Sequence, residues 1–546
     1  MMCRQQRGRQ ARQPKTDETE SPNNATKSFR QEAGYPLDMT RIAAAAVSTY
    51  AAAAAEQIAA EGGNAVDAAI AASIVGMISE PGIVSLGAGG FLTIWPPDGD
   101  PCTVDGYATM PGKGQDPSRF GGGVFDAWMA YGGGMTTTVG HGSVAVPGAL
   151  AACQAASSRF GRLAWQRLVE PSIDLARRGF PLSVAASRYL DHCHDTIFGW
   201  HKPSYAALHD EKGHVLAAGA TVHVDGLAES LREIADSGSD VFYKGSLCRK
   251  IVADMDLGGG LLTEEDMTGY RAIVRDAHLL RTAEWDVATN PPPAVGGVAL
   301  AAMIALMKSE PVDAWKETAL VRLIRVQASV FAHRREHLDG AEDLASAAAT
   351  FLELIDANGE AWLRESPSTI HTSVVDESGL ACAASFSAGY GSGVMAPGTG
   401  IWLNNSLGEL ELNSRGLHAL EPGQRLLSNM APTVARDREG TVLVIGSPGA
   451  DRITTAILQS FLNIAHLDMT LQDAVTHPRL HVESVDGHVR VAYEPGLAVD
   501  TLGFPTRPFD TEDMFFGGVA AVALHPDGTL EAGVDPRRSG ASVISR

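Results

Sequence analysis

Thr369 and Ser387 are two hydroxyl-bearing residues that the sequence places together at the open end of a predicted β-hairpin. The residues on both sides of Gly379 are rich in β-forming types, and the short connection around this glycine indicates a hairpin closed by a bulge. If Asp376 pairs with Leu380 across the loop, Thr369 lies opposite Ser387. A slip of one residue would turn Ser387 to the other face of the sheet. The same register gives two further pairs: Val375 with Ala381, and His371 with Ser385.

This pair of hydroxyls fits a hydrolase whose nucleophile is an amino-terminal threonine. A chain cut between Ser368 and Thr369 would leave a free amino group on the threonine. A threonine hydroxyl is a weak nucleophile that needs a neighbouring base, and an α-amine titrates near neutrality and can serve as that base. Ser387 could then hold the hydroxyl in place. The alternative is an ordinary strand threonine, and the hairpin alone does not decide between the two.

The segment around Thr369 resembles the processing site of the γ-glutamyltranspeptidase family, whose nucleophile is the first threonine of a Thr-Thr-His-x-Ser motif. Residues 369–373 read Thr-Ile-His-Thr-Ser, so the second threonine is replaced by isoleucine. Further blocks resemble the family in the family's order, over roughly residues 42–540. These blocks are residues 62–69, 142–148, 259–263, 291–297, 403–405, 427–433 and 446–449. The chain is identified as a member of the N-terminal-nucleophile hydrolase superfamily.

The resemblance implies both an architecture and a processing event. Alternating helices and strands by themselves predict only a layered α/β protein. The family implies the four-layer αββα sandwich of N-terminal-nucleophile hydrolases. Self-cleavage would separate a large-subunit segment, residues 41–368, from a small-subunit segment, residues 369–546, and the two would stay associated. The implied chemistry uses a small-molecule amide substrate and needs no metal or organic cofactor.

A second unit, residues 441–465, is predicted to supply an oxyanion hole. A strand over 441–445 leads into the turn 446–450, and a helix follows from about Asp451, which is a plausible N-cap. Backbone N–H groups at such a turn favour negative charge. By the resemblance, the two amides that stabilise the oxyanion are those of Gly449 and Ala450. Ala450 stands where the family usually has glycine, but a backbone donor does not depend on the side chain.

The positions that would recognise the substrate depart from the family. An arginine holds the carboxylate of the donor's amino acid head in the family, and Tyr107 takes its place here. Tyrosine cannot replace the bidentate guanidinium fork. Ser428 is retained, and Glu409, which replaces an aspartate, could still pair with an amine. The other replacements are Gly389 for asparagine, Ser406 for glutamine and Asn429 for serine.

Three functions therefore remain open. The first is a self-processing γ-glutamyl hydrolase or transferase that cleaves glutathione-like amide bonds with altered head-group contacts. The second is a sibling amidohydrolase that acts on another small acyl amide, similar to an oxamate amidase or a cephalosporin acylase. The third is an unprocessed, inactive scaffold that only binds a ligand. Hydrolysis is favoured over transfer, because nothing in the sequence defines an acceptor site.

Composition restricts the partners and predicts the compartment. With 546 residues, 45% of them hydrophobic, the chain can bury a large core. A net charge of −21 disfavours nucleic acid and acidic membranes as partners. The six cysteines show no metal or disulfide spacing, which suits a reducing compartment. Residues 1–40 are basic and then polar without an apolar segment, so we expect a disordered tail and a cytoplasmic protein.

Several other segments carry structural expectations. The alanine-rich run 42–60 is predicted as a soluble helix that ends at a glycine pair, and 64–79 as a fully buried helix. The glycine-rich turn 87–90 precedes a strand, 91–95, and so favours close backbone packing over phosphate binding. The segment 333–337 matches an H-x-x-E-H zinc pattern but resembles a structural helix of the family. In 191–195, two histidines would point apart on a helix with no partner cluster, which predicts a structural or surface role.

Overall fold

The fold is that of a computed structural model, which describes residues 39–130, 134–308, 310–358, 370–413, 415–449, 451–485, 488–538 and 540–545. Residues 1–38, which hold almost all of the predicted disordered tail, lie outside this set. So do Thr369, the predicted nucleophile, and Ala450, one of the two predicted oxyanion donors. The predictions for these residues therefore stay predictions.

Helices and strands alternate along the described residues, as a mixed α/β protein requires. The helices are α1 Thr49–Ala60, α2 Ala65–Ser79, α3 Ala149–Phe160, α4 Trp165–Arg178, α5 Val184–Cys193, α6 Lys202–Leu208, α7 Leu227–Ser237, α8 Asp240–Lys244, α9 Ser246–Leu257, α10 Glu264–Gly269, α11 Val295–Met307, α12 Glu317–His333, α13 Leu344–Asn358, α14 Arg452–Leu467 and α15 Leu471–Thr476. The strands are β1 Ile42–Ala46, β2 Gly89–Trp95, β3 Cys102–Gly106, β4 Phe125–Met129, β5 Met135–Val139, β6 Phe180–Pro181, β7 Thr221–Val222, β8 Ile273–Asp276, β9 His278–Arg281, β10 Trp285–Thr289, β11 Ile370–Asp376, β12 Ala381–Ser387, β13 Met395–Ala396, β14 Ile401–Trp402, β15 Thr433–Asp437, β16 Val442–Gly446, β17 Leu480–Val485, β18 His488–Tyr493, β19 Thr506–Pro508, β20 Ala520–Leu524, β21 Leu530–Val534 and β22 Ala541–Ile544.

Two large antiparallel sheets form the centre of the molecule. One has seven strands in the order β22-β1-β11-β12-β2-β3-β8, and the other has six in the order β21-β20-β16-β15-β10-β9. Apolar side chains of both sheets, among them Val375, Ala383, Val444 and Val522, share one buried cluster. The two sheets therefore face each other across a common core.

Helices cover the other faces of the sheets. Helix α2 packs on β11 and β12 of the seven-stranded sheet, while α11 and α14 pack on β10 and β16 of the six-stranded sheet. Each set of contacts has its own apolar cluster. The central strands are thus buried on both faces, which explains why β1, β16 and β20 read as nearly continuous apolar runs and not as alternating ones.

The prediction of one helix over residues 42–60 is wrong in its first part. Residues 42–46 form β1, which lies between β11 and β22 and is buried throughout. Only after Ser48, whose hydroxyl accepts a hydrogen bond from Ala51 N–H, does helix α1 begin. A short apolar run buried on both sides shows no periodicity, so the sequence pattern could not separate strand from helix here.

Two other predictions are confirmed. Helix α2 is buried at every position, and Asn64 and Asp67 form a reciprocal capping box at its N-terminus. The turn 87–90 leads into β2, which begins at Gly89, two residues earlier than predicted. A Cβ atom on Gly90 would lie 2.3 Å from Phe386 Cδ1, so close packing explains that glycine. None of the described helices is long and apolar enough to cross a bilayer.

Candidate active site

The hairpin formed by β11 and β12 has the predicted register. Ile370 pairs with Phe386, and the pairs His371–Ser385 and Val375–Ala381 follow inward. Asp376 N–H donates to the carbonyl of Leu380 at 3.1 Å, and Gly379 adopts a positive φ of 80° in the loop. A short loop of this kind fixes register, which explains why the sequence was sufficient to predict it.

A buried hydrogen-bond chain runs across the start of β11. The Ser373 hydroxyl donates to the carbonyl of Ala520 at 3.0 Å, so its oxygen accepts from His371 Nε2–H at 2.8 Å. The Nδ1 atom of His371 then accepts from the Ser385 hydroxyl at 2.8 Å. Burial lowers the pKa of His371 to about 3, so the ring is neutral and fills both of its hydrogen-bonding roles. The chain fastens β11 to β12 and to β20 of the opposite sheet.

The predicted oxyanion turn follows β16 and is closely packed. Gly449 has a φ of 124°, and a Cβ atom there would lie 2.6 Å from Gly517 Cα. Gly518 N–H donates to the Ser447 hydroxyl at 3.1 Å, which ties the turn to the chain before β20. Pro448 of this turn and Ile370 of β11 border the same cleft. Strand β16 and helix α14 of this unit lie within two residues of their predicted positions, and Ala450 of the turn lies outside the described residues.

Asp451 stands at the N-cap position of α14, but it makes no capping hydrogen bond there. Its carboxylate instead contacts Arg452 at 2.5 Å and His481 Nε2 at 3.3 Å. Although burial opposes the shift, these two partners hold the pKa of Asp451 below its ordinary value. Asp451 is therefore the N-cap residue as predicted, but its carboxylate pairs with Arg452 and His481 and does not cap the helix.

Ser387 and Tyr107 lie on either side of Gly89. Ser387 is buried, pairs with Gly89 across the sheet, and accepts a hydrogen bond from Gly389 N–H at 3.0 Å. A Cβ atom on Gly89 would lie 3.1 Å from Tyr107 Cδ2. The Tyr107 ring stacks on Phe91, with ring centroids 5.5 Å apart. The absence of a side chain on Gly89 thus lets the Tyr107 ring approach β2 where β2 pairs with the end of β12.

Glu409 is buried near Gly389 and Tyr107. A Cβ atom on Gly389 would lie 3.0 Å from Glu409 Oε2, so this position, with its φ of 63°, needs glycine. Burial, with a smaller contribution from Glu411, raises the pKa of Glu409 well above its ordinary value. Within the part of the chain that the structure describes, neither carboxyl oxygen of Glu409 has a hydrogen-bond partner.

The Tyr107 hydroxyl faces the same groups. Burial raises the pKa of Tyr107 well above its ordinary value, the Glu409 carboxylate raises it further, and the hydroxyls of Ser406 and Ser428 oppose the shift. Asn429 is buried beside Ser428, against the first turn of α11. The structure therefore brings Tyr107, Ser406, Glu409 and Ser428 together, and Gly389 links this group to Ser387.

Sequence reasoning missed Glu80, which lies in a cleft of about 450 Å³ bordered by Ile370, His371 and Pro448. The Ser183 hydroxyl donates to Glu80 Oε2 at 2.5 Å, while burial raises the pKa of Glu80 to about 8. The available signal was its place, a carboxylate directly after the predominantly apolar, fully buried helix α2. A carboxyl group that such a helix carries into the core is favoured in its neutral form, which agrees with the raised pKa of Glu80.

The two metal-like motifs differ in their outcome. His333 ends α12 and stacks on Phe351, with ring centroids 3.9 Å apart, as a structural role predicts. The prediction that the 191–195 segment has no partner cluster is wrong. His194 Nδ1 lies 3.1 Å from His209 Nε2, because a π-helical turn, His194–Phe198, follows α5 and places the ring toward the end of α6.

Comparison with known proteins identifies the family. The sequence profile described as gamma-glutamyltranspeptidase matches residues 51–545. The chain belongs to the gamma-glutamyltranspeptidase family. A glutathione hydrolase proenzyme of Pseudomonas aeruginosa is 30% identical over 543 residues, which cover 92% of this chain and 94% of the relative. The corresponding proenzyme of Escherichia coli is 29% identical over 514 residues, which cover 87% of each chain.

The gamma-glutamyltranspeptidase family also includes relatives named as acylases. An acylase ACY 1 proenzyme of a Pseudomonas species (strain V22) is 29% identical over 523 residues, covering 90% of this chain and 91% of the relative. The crystal structure of a cephalosporin acylase from Bacillus halodurans has the same fold, with a TM-score of 0.79, 24% identity, and coverage of 93% and 96% of the two chains. This gamma-glutamyltranspeptidase family member is therefore an enzyme of the amidohydrolase and acyltransferase class.

Proposed function

We propose that the chain cleaves itself between Ser368 and Thr369 and then hydrolyses small acyl amides through the amino-terminal Thr369. The main support is the observed pairing of Ile370 with Phe386. Carried one position outward, this register predicts Thr369 opposite Ser387, next to Glu409 and Tyr107. The names of the relatives, which are proenzymes, agree with self-processing.

The proposed processing step uses the same hydroxyl as turnover. Thr369 Oγ attacks the carbonyl carbon of Ser368, the C–N bond breaks, and the acyl group moves from nitrogen to oxygen. Water then hydrolyses this ester, which leaves a carboxylate on Ser368 and a free α-amine on Thr369. Ser387 would position the hydroxyl through its own hydrogen bond.

In turnover, the α-amine of Thr369 takes the proton as its Oγ attacks the substrate's amide carbon. The backbone N–H groups of Gly449 and Ala450 would stabilise the oxyanion. The proton then passes to the leaving amine, and an acyl ester remains on Thr369. Water attacks this ester with the same amine as base, which releases the acid and restores the enzyme.

For the acyl group, we propose γ-glutamyl as the first candidate. The buried Glu409 carboxyl, whose two oxygens have no partner among the described residues, suits the ammonium group of an amino acid head. An ammonium ion beside Glu409 would favour the carboxylate form that burial disfavours. Tyr107 cannot form the bidentate pair that an arginine forms with a carboxylate. It therefore favours a second candidate, an acylase for small acyl amides that lack the α-carboxylate.

The γ-glutamyl anilide and two analogues that each lack one of its head groups separate these candidates. The γ-glutamyl anilide has both head groups, the glutaryl anilide lacks only the ammonium group, and the 4-aminobutyryl anilide lacks only the carboxylate. We expect the γ-glutamyl substrate to be turned over and the glutaryl substrate to lose most of its kcat/KM. Preference for the glutaryl anilide would contradict the proposed contact between Glu409 and an ammonium group, and preference for the 4-aminobutyryl anilide would support the acylase.

Processing is tested separately by denaturing electrophoresis and amino-terminal sequencing of the wild type, Thr369→Ser and Thr369→Ala. The first two should yield a fragment that begins at residue 369, and Thr369→Ala should stay whole. A wild-type chain that is folded but uncut would support the inactive scaffold and contradict self-processing.

We also propose that residues 41–368 and 369–546 form one αββα sandwich and stay together after cleavage. In the seven-stranded sheet, β1, β2, β3 and β8 come from the first segment, whereas β11, β12 and β22 come from the second. Their order interleaves the two segments. Separation would therefore require breaking strand pairs in the middle of the sheet.

A further inference from the structure

Three potential ligand atoms converge beside the π-helical turn that follows α5. His194 Nδ1 lies 3.1 Å from His209 Nε2 and 3.3 Å from Asp195 Oδ1. All three atoms lie within 4.8 Å of one another. None of these residues belongs to the catalytic or recognition groups described above. His209 is buried, His194 is partly buried, and Asp195 faces solvent, so the cluster is firmly held on one side and open on the other.

The hydrogen bonding of His209 leaves the correct nitrogen available. Its Nδ1 lies 2.9 Å from the carbonyl oxygen of Tyr205, which can only accept, so Nδ1 carries the proton. The lone pair of a neutral ring is then on Nε2, where, without an ion, it accepts a hydrogen bond from His194 Nδ1–H. Histidines that ligate metals usually donate their other N–H to a carbonyl or carboxylate in this way. The ring also stacks on Tyr205, with centroids 3.9 Å apart, which fixes its plane.

We propose that His194, Asp195 and His209 bind a divalent transition-metal ion of the Zn²⁺ class. With metal–ligand distances of about 2.0–2.1 Å and tetrahedral angles, neighbouring ligand atoms should lie about 3.3 Å apart. The two measured separations from His194 Nδ1 agree with this value. Two imidazoles and a carboxylate suit zinc and its neighbours in the first transition row, and the open side leaves room for a water as fourth ligand.

A second cluster, His141, His201 and Asp254, has the same composition but cannot act in the same way. The backbone N–H of Met395 donates to His201 Nδ1 at 3.2 Å, so the lone pair of the neutral ring is already used. Its other nitrogen, Nε2, must carry the proton. Neither nitrogen of His201 is therefore free to bind a metal ion. In the first cluster the partner of His209 Nε2 is a second imidazole, and His194 can move its proton from Nδ1 to Nε2, so an ion can replace that hydrogen bond.

The proposed ion would lie behind the loop that carries Gly389. Ile197 and Phe198 of the π-helical turn pack against Gly393 and Gly391, where added Cβ atoms would lie 2.0 Å from Ile197 O and 3.0 Å from Phe198 Cζ. An ion shared by His194, Asp195 and His209 would fasten this turn to the end of α6. Its expected role is to brace the loop from outside the active site.

Zinc binding to the tag-free full-length chain, treated with a chelator and measured by calorimetry, tests the proposal. The variants are His194→Ala and Asp195→Asn, with His192→Ala as the control from the same motif. We expect the wild type and His192→Ala to bind one more Zn²⁺ than His194→Ala. Asp195→Asn should bind that ion at least tenfold more weakly, and Zn²⁺ should raise the melting temperature only where the site is intact.

Equal zinc stoichiometry in the wild type and His194→Ala would overturn the proposal, as would an equal loss in His192→Ala. Asp195 is exposed, so its asparagine variant keeps the test valid if His194→Ala fails to fold. Neither measurement depends on turnover. The binding experiment repeated in Thr369→Ala should give the same result, which separates this proposal from the proposed function.

Discussion

The His371 ring occupies the space that a side chain on Gly446 would need. A Cβ atom on Gly446 would lie 2.2 Å from His371 Cε1. His371 belongs to β11, the first strand of the β11–β12 hairpin, and Gly446 ends β16, the strand before the predicted oxyanion turn. Their contact, together with the hydrogen bonds of His371 to Ser385 and Ser373, sets the spacing between these two parts of the site.

Gly446→Ala should therefore destabilise the protein and impair processing. Forcing an extra methyl group into a packed core typically costs about 1–3 kcal/mol, and here the neighbouring atoms belong to a buried ring that is held on both nitrogens. Urea unfolding and the fraction of cut chain after expression measure the two effects. Gly340→Ala is the control, because no heavy atom lies within 4 Å of a Cβ atom there. Equal stability of the two variants would contradict the steric argument.

Ser385→Ala should lower the free energy of unfolding by about 1–3 kcal/mol, because it leaves His371 Nδ1 buried without its donor. The measurement is urea unfolding at neutral pH, compared with Ser158→Ala, whose exposed hydroxyl donates only to a backbone carbonyl of its own helix. If both variants unfold at the same urea concentration as the wild type, the buried chain does not hold the hairpin in place.

Glu409→Gln should weaken recognition of ammonium-bearing substrates with little effect on folding. The two side chains have the same shape, but the neutral amide of glutamine cannot form an ion pair with a cation. Hydrogen bonds to charged groups contribute roughly 1.5–3 kcal/mol, so kcat/KM for the γ-glutamyl anilide should fall about 10- to 100-fold. The glutaryl anilide should lose much less. Exposed Glu421→Gln is the control, and an equal loss on both substrates would exclude a specific contact with the ammonium group.

Glu80 should make stability fall as pH rises. Its pKa is raised from 4.5 to about 8 by burial, so between these values the folded chain holds a proton that the unfolded chain has released. Stability then falls by up to about 1.4 kcal/mol per pH unit across this range and levels off above it. Unfolding at pH 5–9 should show this trend in the wild type and in exposed Glu56→Gln but not in Glu80→Gln. Parallel curves for Glu80→Gln and the wild type would contradict it.

The sequence predicts those parts of the fold whose conformation is set by residues close together along the chain. The β11–β12 register follows from a loop with Gly379, and helix α2 follows from a capping box and a long apolar run. Strand β1 was missed because its alanines are covered on both faces by elements far away in sequence. No local pattern contains that information.

The candidate site likewise combines residues that the sequence locates with contacts that only the folded chain shows. The resemblance located Tyr107, Ser406, Glu409 and Ser428, but only the folded chain shows that they share one buried space with partnerless oxygens. Glu80 and the His194–His209 contact were not predicted, because each depends on how one helix ends against another. Such contacts are fixed by tertiary packing and not by residue spacing along the chain.

Strand β11 lies between β1 and β12 in the interior of its sheet, paired on both sides. A chain terminus ordinarily frays because nothing holds its last residues. The proposed cleavage would instead create an amino terminus next to a strand that is already folded. The conformational entropy of that strand is then lost before the chain is cut. A nucleophile made in this way would be as rigid as the interior of a sheet, although chemically it is the first residue of a chain.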